Sequence, residues 1–321
     1  MLRLHFTPED LGRVRFAKVP DPLWESVLSL TLLGTARGRA TFGPWQARLR
    51  PALPGLPAWQ IRLLRRLVPA TGNFPDFLTP SESANGLEAG IEAVLMTPKR
   101  TLRRELASLP DIPSWSRPLA EGDPKALTAL ADAIRNYHRV AITPHWPNMD
   151  SVVQAERAAR SRTLMDHGIE GLLARLRPTM RWRPPILEVD YPVSHDIHLA
   201  GRGLRLIPSV FCWRMPITLI DAALPPVLLY PVPRDAIAWT RPESRPRAIA
   251  KILGSTRSAC LELTAFGYTT RELARHVGVG EPATSQHLSY LRQAGLITSS
   301  RQGNTVLHTI TALGQSLLEQ R

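Results

Sequence analysis

The hydrophobic positions of this chain change period several times. Leu2, Leu4 and Phe6, then Val14 and Phe16, alternate with polar residues around a Thr7-Pro8-Glu9-Asp10 turn, the pattern of short strands with one buried face. The spacing then lengthens to that of helices. Asp21 suits a cap and Pro22 a first helical turn, so LWESVLSLTLL from Leu23 predicts a buried helix. PAWQIRLLRRLVP predicts a helix with Ile61, Leu64 and Leu67 on one side and Arg62, Arg65 and Arg66 largely on the other. NGLEAGIEAVLM and TPKRTLRRELASL predict two more, and a pair of long helices follows on either side of Pro144 and Pro147. Beyond them the period becomes two. ILEVDYPV, DIHLAGRGLRLIPS, FCWRMPITLID and PPVLLYPVP are short, rich in aliphatic and aromatic residues, and separated by Pro or Gly, which predicts an antiparallel β meander. The polar, proline-rich PRDAIAWTRPESRPR sets a domain boundary near Glu243. The expected architecture is therefore α+β: a large N-terminal helical domain with an antiparallel β meander over residues 1–243, and a smaller C-terminal domain over residues 244–321.

The last segment, TTRELARHVGVGEPATSQHLSYLRQAGLITSSRQGNTVLHTIT, packs three signals together. Thr269 and Glu272 have the spacing of a capping box, in which each side chain satisfies a backbone N–H at a helix start. VGVGEP supplies a glycine-containing turn, and Pro282 falls in the first turn of the next helix, where it forfeits no helical hydrogen bond. That helix, about Glu281 to Ala294, turns Ala283, Leu288 and Leu291 inward and leaves Glu281, Ser285, Gln286 and Ser289 on another face. Short or flat hydrogen-bonding side chains on one face suit base edges in a major groove. GLITSSRQGNTVLHTIT then alternates on both sides of Arg301-Gln302-Gly303-Asn304, a hairpin tip in which Gly303 and Asn304 tolerate positive φ. A polar or basic hairpin after such a helix is a wing, so a C-terminal winged helix-turn-helix is expected. TALGQSLLEQR closes with an amphipathic helix whose Leu313, Leu317 and Leu318 form a stripe that a symmetry mate would cover.

Charge agrees with this picture. The chain of 321 residues has a formal net charge of +13, which favours a polyanionic partner. Between Pro246 and Arg321 eight Lys and Arg stand against four Glu, so the excess is shared by both parts. Only four of the 40 basic residues are Lys, a bias that together with 30 Pro also fits a GC-rich coding sequence. Two cysteines, Cys212 and Cys260, make no disulfide framework and no metal-site spacing, which suits a reducing cytoplasm. No signal peptide is read at the N-terminus, and no apolar run approaches the roughly 18 residues of a membrane span.

The C-terminal motif resembles the winged helix of ArsR-type transcriptional regulators. His287-Leu288, Leu291-Arg292 and Ala294-Gly295-Leu296 fit the pattern in which the recognition helix ends in HL..LR.AGL before a two-stranded wing. The segment before it, with GRGLRLIPSVFCW and PPVLLYP, is similar to a domain without assigned chemistry that precedes such winged helices. The resemblance implies a DNA-binding regulator, a repressor that binds an inverted repeat of double-stranded DNA as a homodimer. Metal-sensing members of the family carry cysteines in the helix before the recognition helix. TTRELARHVG has none, so neither metal nor other cofactor is expected there.

Candidate contacts follow. Glu281, Pro282, Ala283, Ser285 and Gln286 are expected at the groove, and Thr270, Arg271, Arg292, Arg301, Gln302, Gly303 and Asn304 at the backbone. The helical Arg clusters Arg100, Arg103, Arg104 and Arg157, Arg160, Arg162 are solvated faces or tracks for flanking DNA. Phe211, Trp213 and Trp146 are candidates for an apolar effector pocket. His195 and His198 are three apart on an expected strand, a poor metal pair. Gly201-Arg202-Gly203 lacks the third glycine of a dinucleotide site and is expected to be a hairpin turn. No catalytic motif is found, so an enzyme is not expected. The N-terminal part then serves either as a small-molecule sensor or as a structural domain for partner contact.

Overall fold

The computed structural model describes residues 1–33, 35, 38–109, 116–176, 178–221, 223–233, 237, 239, 251–302 and 305–319. The chain forms two compact units, Met1–Trp239 and Thr240–Arg321. Glu243, the expected boundary, lies outside the described residues.

The first unit opens with β1 (Leu2–His5), α1 (Pro8–Gly12) and β2 (Arg15–Phe16). The expected turn is thus one turn of helix, because Thr7 caps it and Asp10 returns a bond to the Thr7 N–H at 2.8 Å. Next come α2 (Pro22–Leu32), α3 (Arg39–Leu49), α4 (Ala58–Leu67), α5 (Leu87–Leu95), α6 (Lys99–Leu106), α7 (Arg117–Ala120), α8 (Pro124–Ala141) and α9 (Trp146–Ala174). Asp21 caps α2 by accepting from the Trp24 N–H, and Pro22 occupies its first turn. A 3-10 turn at Thr143–His145 joins α8 to α9, and α9 itself breaks at Gly168, whose φ of 65° is left-handed. The core of these helices centres on Trp45, Tyr137, Phe42 and Phe211.

The expected antiparallel meander is not what the strands build. A four-stranded sheet runs β3 (Met180–Arg183), β4 (Ile186–Val189), β1, β5 (His195–His198), in which the β3–β4 and β4–β1 pairs are antiparallel and β1 and β5 pair in parallel. The other sheet, β2-β6-β7, is parallel throughout, with β6 at Arg205–Ser209 and β7 at Val227–Pro231. The N-terminal strands insert into both sheets. Alternation along a strand specifies which face is buried and says nothing about which strand lies alongside. FCWRMPITLID adds only an isolated bridge, Ile217 to Leu229.

Gly201 to Gly203 is likewise no hairpin, because β5 and β6, which it joins, belong to different sheets. Gly203 has φ 74° and packs so closely on Arg13 that a Cβ would lie 2.5 Å from the Arg13 carbonyl oxygen. That N–H also reaches the buried Asp10 carboxylate at 2.7 Å.

The second unit is described from residue 251. It contains α10 (Ser255–Leu263), β8 (Tyr268–Thr269), α11 (Thr270–Val277), α12 (Glu281–Gln293), β9 (Ile297–Gln302), β10 (Thr305–Ile310) and α13 (Ala312–Glu319). The three strands pair antiparallel in the order β8-β10-β9. Cys260, Leu261, Leu273, Leu288, Leu291 and Ile297 form its core, and full burial of each leucine contributes roughly 1.5–3 kcal/mol.

Candidate nucleic-acid interface

The capping box is formed. Thr269 accepts from the Glu272 N–H, and Glu272 accepts from the Thr269 N–H at 2.8 Å, which holds the Glu272 carboxyl below its usual range. α11 ends at Gly278, with φ 72° and ψ 30°, the left-handed residue that releases the chain from the helix. Gly280 then leads into α12 with Pro282 in its first turn. Leu273 of α11 meets Leu288 and Leu291 of α12 in the core, so the two helices are fixed by caps outside and leucines within. Residues 267–299, which run from β8 through α11 and α12 into β9, match the model of the bacterial regulatory protein arsR family.

The segment is an ArsR-type helix-turn-helix. Comparison of the chain with curated proteins and with solved structures finds no match. The family match indicates a DNA-binding transcription regulator and covers neither the N-terminal unit nor the end of the hairpin. No helix among the described residues is long and apolar enough to cross a membrane.

On α12 of the ArsR-type segment, Glu281, Pro282, Ser285 and Gln286 are exposed, Ala283 and Ser289 are half-buried, and Thr284 points inward with Leu288. The Thr284 hydroxyl donates to the Gly280 carbonyl at 3.1 Å, which satisfies it inside the packed face. Arg271 and Glu281 form an exposed ion pair at 3.3 Å, so two of the expected contacts face each other across the turn. Gln286 donates to the Tyr290 hydroxyl at 3.2 Å, and the Arg257 guanidinium lies 5.6 Å from the centre of the Tyr290 ring. Sequence reasoning missed Tyr290 and Arg257. The four-residue step from Gln286 puts Tyr290 on the same face, a signal available from spacing alone.

Arg292 is exposed at the end of α12, and Arg301 is exposed on β9. The register pairs Gln302 with Thr305, and the expected contacts Gly303 and Asn304 lie outside the described residues. Thr270 is tied inward: its hydroxyl lies 2.9 Å from His308 Nε2, while His308 Nδ1 lies 2.8 Å from the Ser299 hydroxyl. His308 thereby joins α11, β9 and β10, and burial first, then the Arg292 charge, holds its imidazole below the usual pKa.

In the N-terminal unit the helical Arg clusters are largely occupied. Arg103 pairs with Glu121 at 2.6 Å, Arg104 with Asp221 at 2.6 Å, and Arg160 with Glu156 at 2.6 Å. Arg157 donates to the Lys18 carbonyl at 3.0 Å. The three aromatic residues expected around a pocket belong to one core, where Phe211 and Trp213 both pack on Phe42. Phe211 is packed among Phe42, Trp45 and Trp239, Trp146 lies on His138, and Trp213 lines a cleft.

Proposed function

We propose that the protein is a sequence-specific DNA-binding transcriptional regulator of the cytoplasm, a repressor that binds an inverted-repeat operator as a homodimer. The observation that carries this reading is the exposed hydrogen-bonding row Glu281, Ser285, Gln286 and Tyr290 on a helix whose other face is anchored in a core. A glutamine there pairs bidentately with adenine, and serine serves several bases. The β9–β10 hairpin acts as the wing, with Arg301 on phosphate, and Arg271 and Arg292 contribute further charge to the backbone. Exposed Leu313 (60%) and Leu317 (40%) on α13 supply an apolar surface for a second copy. Two recognition helices so related enter major grooves roughly 34 Å apart, which requires a two-fold symmetric site. A small-molecule effector acting on the N-terminal unit completes the reading.

The test is selection of genomic fragments by the purified full chain at near-physiological salt, followed by binding curves for two variants. Gln286→Ala is expected to cost about 1–3 kcal/mol and to relax preference at one base pair. Arg301→Ala weakens all sequences alike and reduces the slope of log affinity against log salt by about one unit. Salt-sensitive binding without any motif would instead mark an architectural protein that coats DNA, and an unchanged salt slope in the Arg301 variant would remove the wing from the phosphates.

A further inference from the structure

A cleft of about 520 Å³ opens in the N-terminal unit between three segments remote in sequence, around Phe74, Tyr191 and Trp213. Its wall at residues 213–220 is held by Asp76. The Ile220 N–H and the Asp221 N–H donate to this carboxylate at 3.0 and 2.8 Å. Behind Asp76 stand two more carboxylates. Glu105 accepts from the Phe77 N–H at 2.7 Å, and Asp221 pairs with Arg104, which also contacts Glu105 at 3.3 Å. Arg104 thus pairs with two of these three carboxylates, and the third, Asp76, borders the cleft with its oxygens held by backbone N–H groups.

Among the described residues the lining contains no Lys or Arg, in a chain with 40 of them. Phe74, Tyr191 and Trp213 supply aromatic surface. The Asp76 charge reaches Tyr191, whose hydroxyl pKa is raised by burial first and by Asp76 second. Beside the cleft, Arg214 lies 5.6 Å from the centre of the Trp213 ring, and its backbone is held at φ 69°, a costly conformation for a non-glycine residue. The ring is thus already in use as a seat for a cation. His195 is the basic side chain that the described lining contains.

We propose that this cleft binds a small organic cation with an aromatic or apolar body, the charge facing Asp76 and the body against Phe74, Tyr191 and Trp213. An ammonium over an aromatic face next to a carboxylate gains from both, and the pocket is of the size that encloses small ligands. As an effector site the cleft rests on the regulator reading, but the binding itself does not, and it is measured without DNA.

The experiment is calorimetric titration of the full chain with benzyltrimethylammonium, benzyl alcohol and benzoate. The cation is expected to bind at least about tenfold more tightly than the alcohol, with benzoate weakest, an increment of about 1.4 kcal/mol in favour of charge complementarity. Val193→Lys and Ile220→Lys alter exposed lining positions, 61% and 50% accessible, so the fold tolerates them. Each is expected to weaken the cation about tenfold or more while leaving the tryptophan-monitored unfolding midpoint unchanged. Benzoate binding as tightly as the cation, seated on Arg214 and His195, would overturn the proposal. So would absence of heat with the cation, or cation binding indifferent to both lysines.

Discussion

Replacement of Glu25 by Ala is expected to destabilise the N-terminal unit by about 3 kcal/mol or more, because it orphans buried donors that this carboxyl satisfies. Glu25 is fully buried on α2. Its carboxylate accepts from the Val210 N–H at 2.9 Å, the Phe211 N–H at 2.9 Å and the Ser209 hydroxyl at 3.1 Å. It therefore ties α2 to the end of β6, where the chain enters the aromatic core through Phe211. All eight tryptophans lie in the N-terminal unit, so tryptophan fluorescence in a denaturant titration of the full chain reports this unit alone. An unfolding midpoint within error of the parent would show that Glu25 is not what holds the Ser209–Cys212 turn.

The same carboxyl gives the pH dependence a definite sign. Burial pushes Glu25 up to about 7 from an ordinary 4.5, against the three hydrogen bonds. The folded state then holds a proton that the unfolded state has lost, so this group's contribution to stability falls as pH rises from 4.5 to about 7. His138, next to Ser26 on the same helix contact, is displaced the other way, down to about 4 from 6.5 by burial. Its contribution rises over that interval and is lost as the solution is acidified. The two oppose each other across most of the acid range. Against the parent, Glu25→Gln should gain about 3 kcal/mol in relative stability between pH 4.5 and 7, whereas His138→Gln should lose a similar amount between pH 4 and 6.5. A flat difference curve for either variant would cancel the corresponding shift.

What the sequence revealed and what it hid divide along the range of the interaction. The Thr269–Glu272 box, Asp21 before Pro22 and the break near Pro144 are written in spacings of a few residues, and the structure forms each of them. The pairing of β1 between β4 and β5 joins residues about as far apart as the unit allows, and alternation carries no address for a partner. α3 was hidden by Gly43 and Pro44 inside it, both unfavourable in a helix interior, and is sustained by Phe42 and Trp45 in the core. The cleft has the same character. Its walls come from residues 72–76, 191–195 and 213–220, so no local motif announced it. On α12 the period placed Leu288 and Leu291 inward and Glu281, Ser285 and Gln286 outward, but Ala283 and Ser289 are half-buried and Thr284 lies inward, its hydroxyl tolerated because it bonds back to Gly280.

Replacement of His308 by Ala is expected to free the hairpin from the helix-turn-helix at a cost of about 2–4 kcal/mol, through two lost hydrogen bonds and the space vacated by a ring only 6% exposed. Hydrogen exchange of the full chain locates the effect: amides of β9 and β10 should exchange roughly 30-fold faster or more, the ratio that about 2 kcal/mol of local stability implies. Under the DNA-binding reading, affinity should fall for every sequence while base preference stays, because Gln286 and Ser285 keep their places on α12. The salt slope should also shrink, since Arg301 rides on the loosened strand. His308→Gln separates these consequences from general unfolding. Its amide both donates and accepts, so it can bridge Thr270 and Ser299 and restore part of the protection. Acidification should act in the same direction as the Ala variant. The imidazole titrates below its ordinary 6.5, so the stability it contributes is present above that range and lost as pH falls through the lowered value. Unchanged exchange in β9 and β10 of the Ala variant would show that strand pairing alone fixes the hairpin, and the bridge from Thr270 to Ser299 would then have no part in presenting Arg301 to a phosphate.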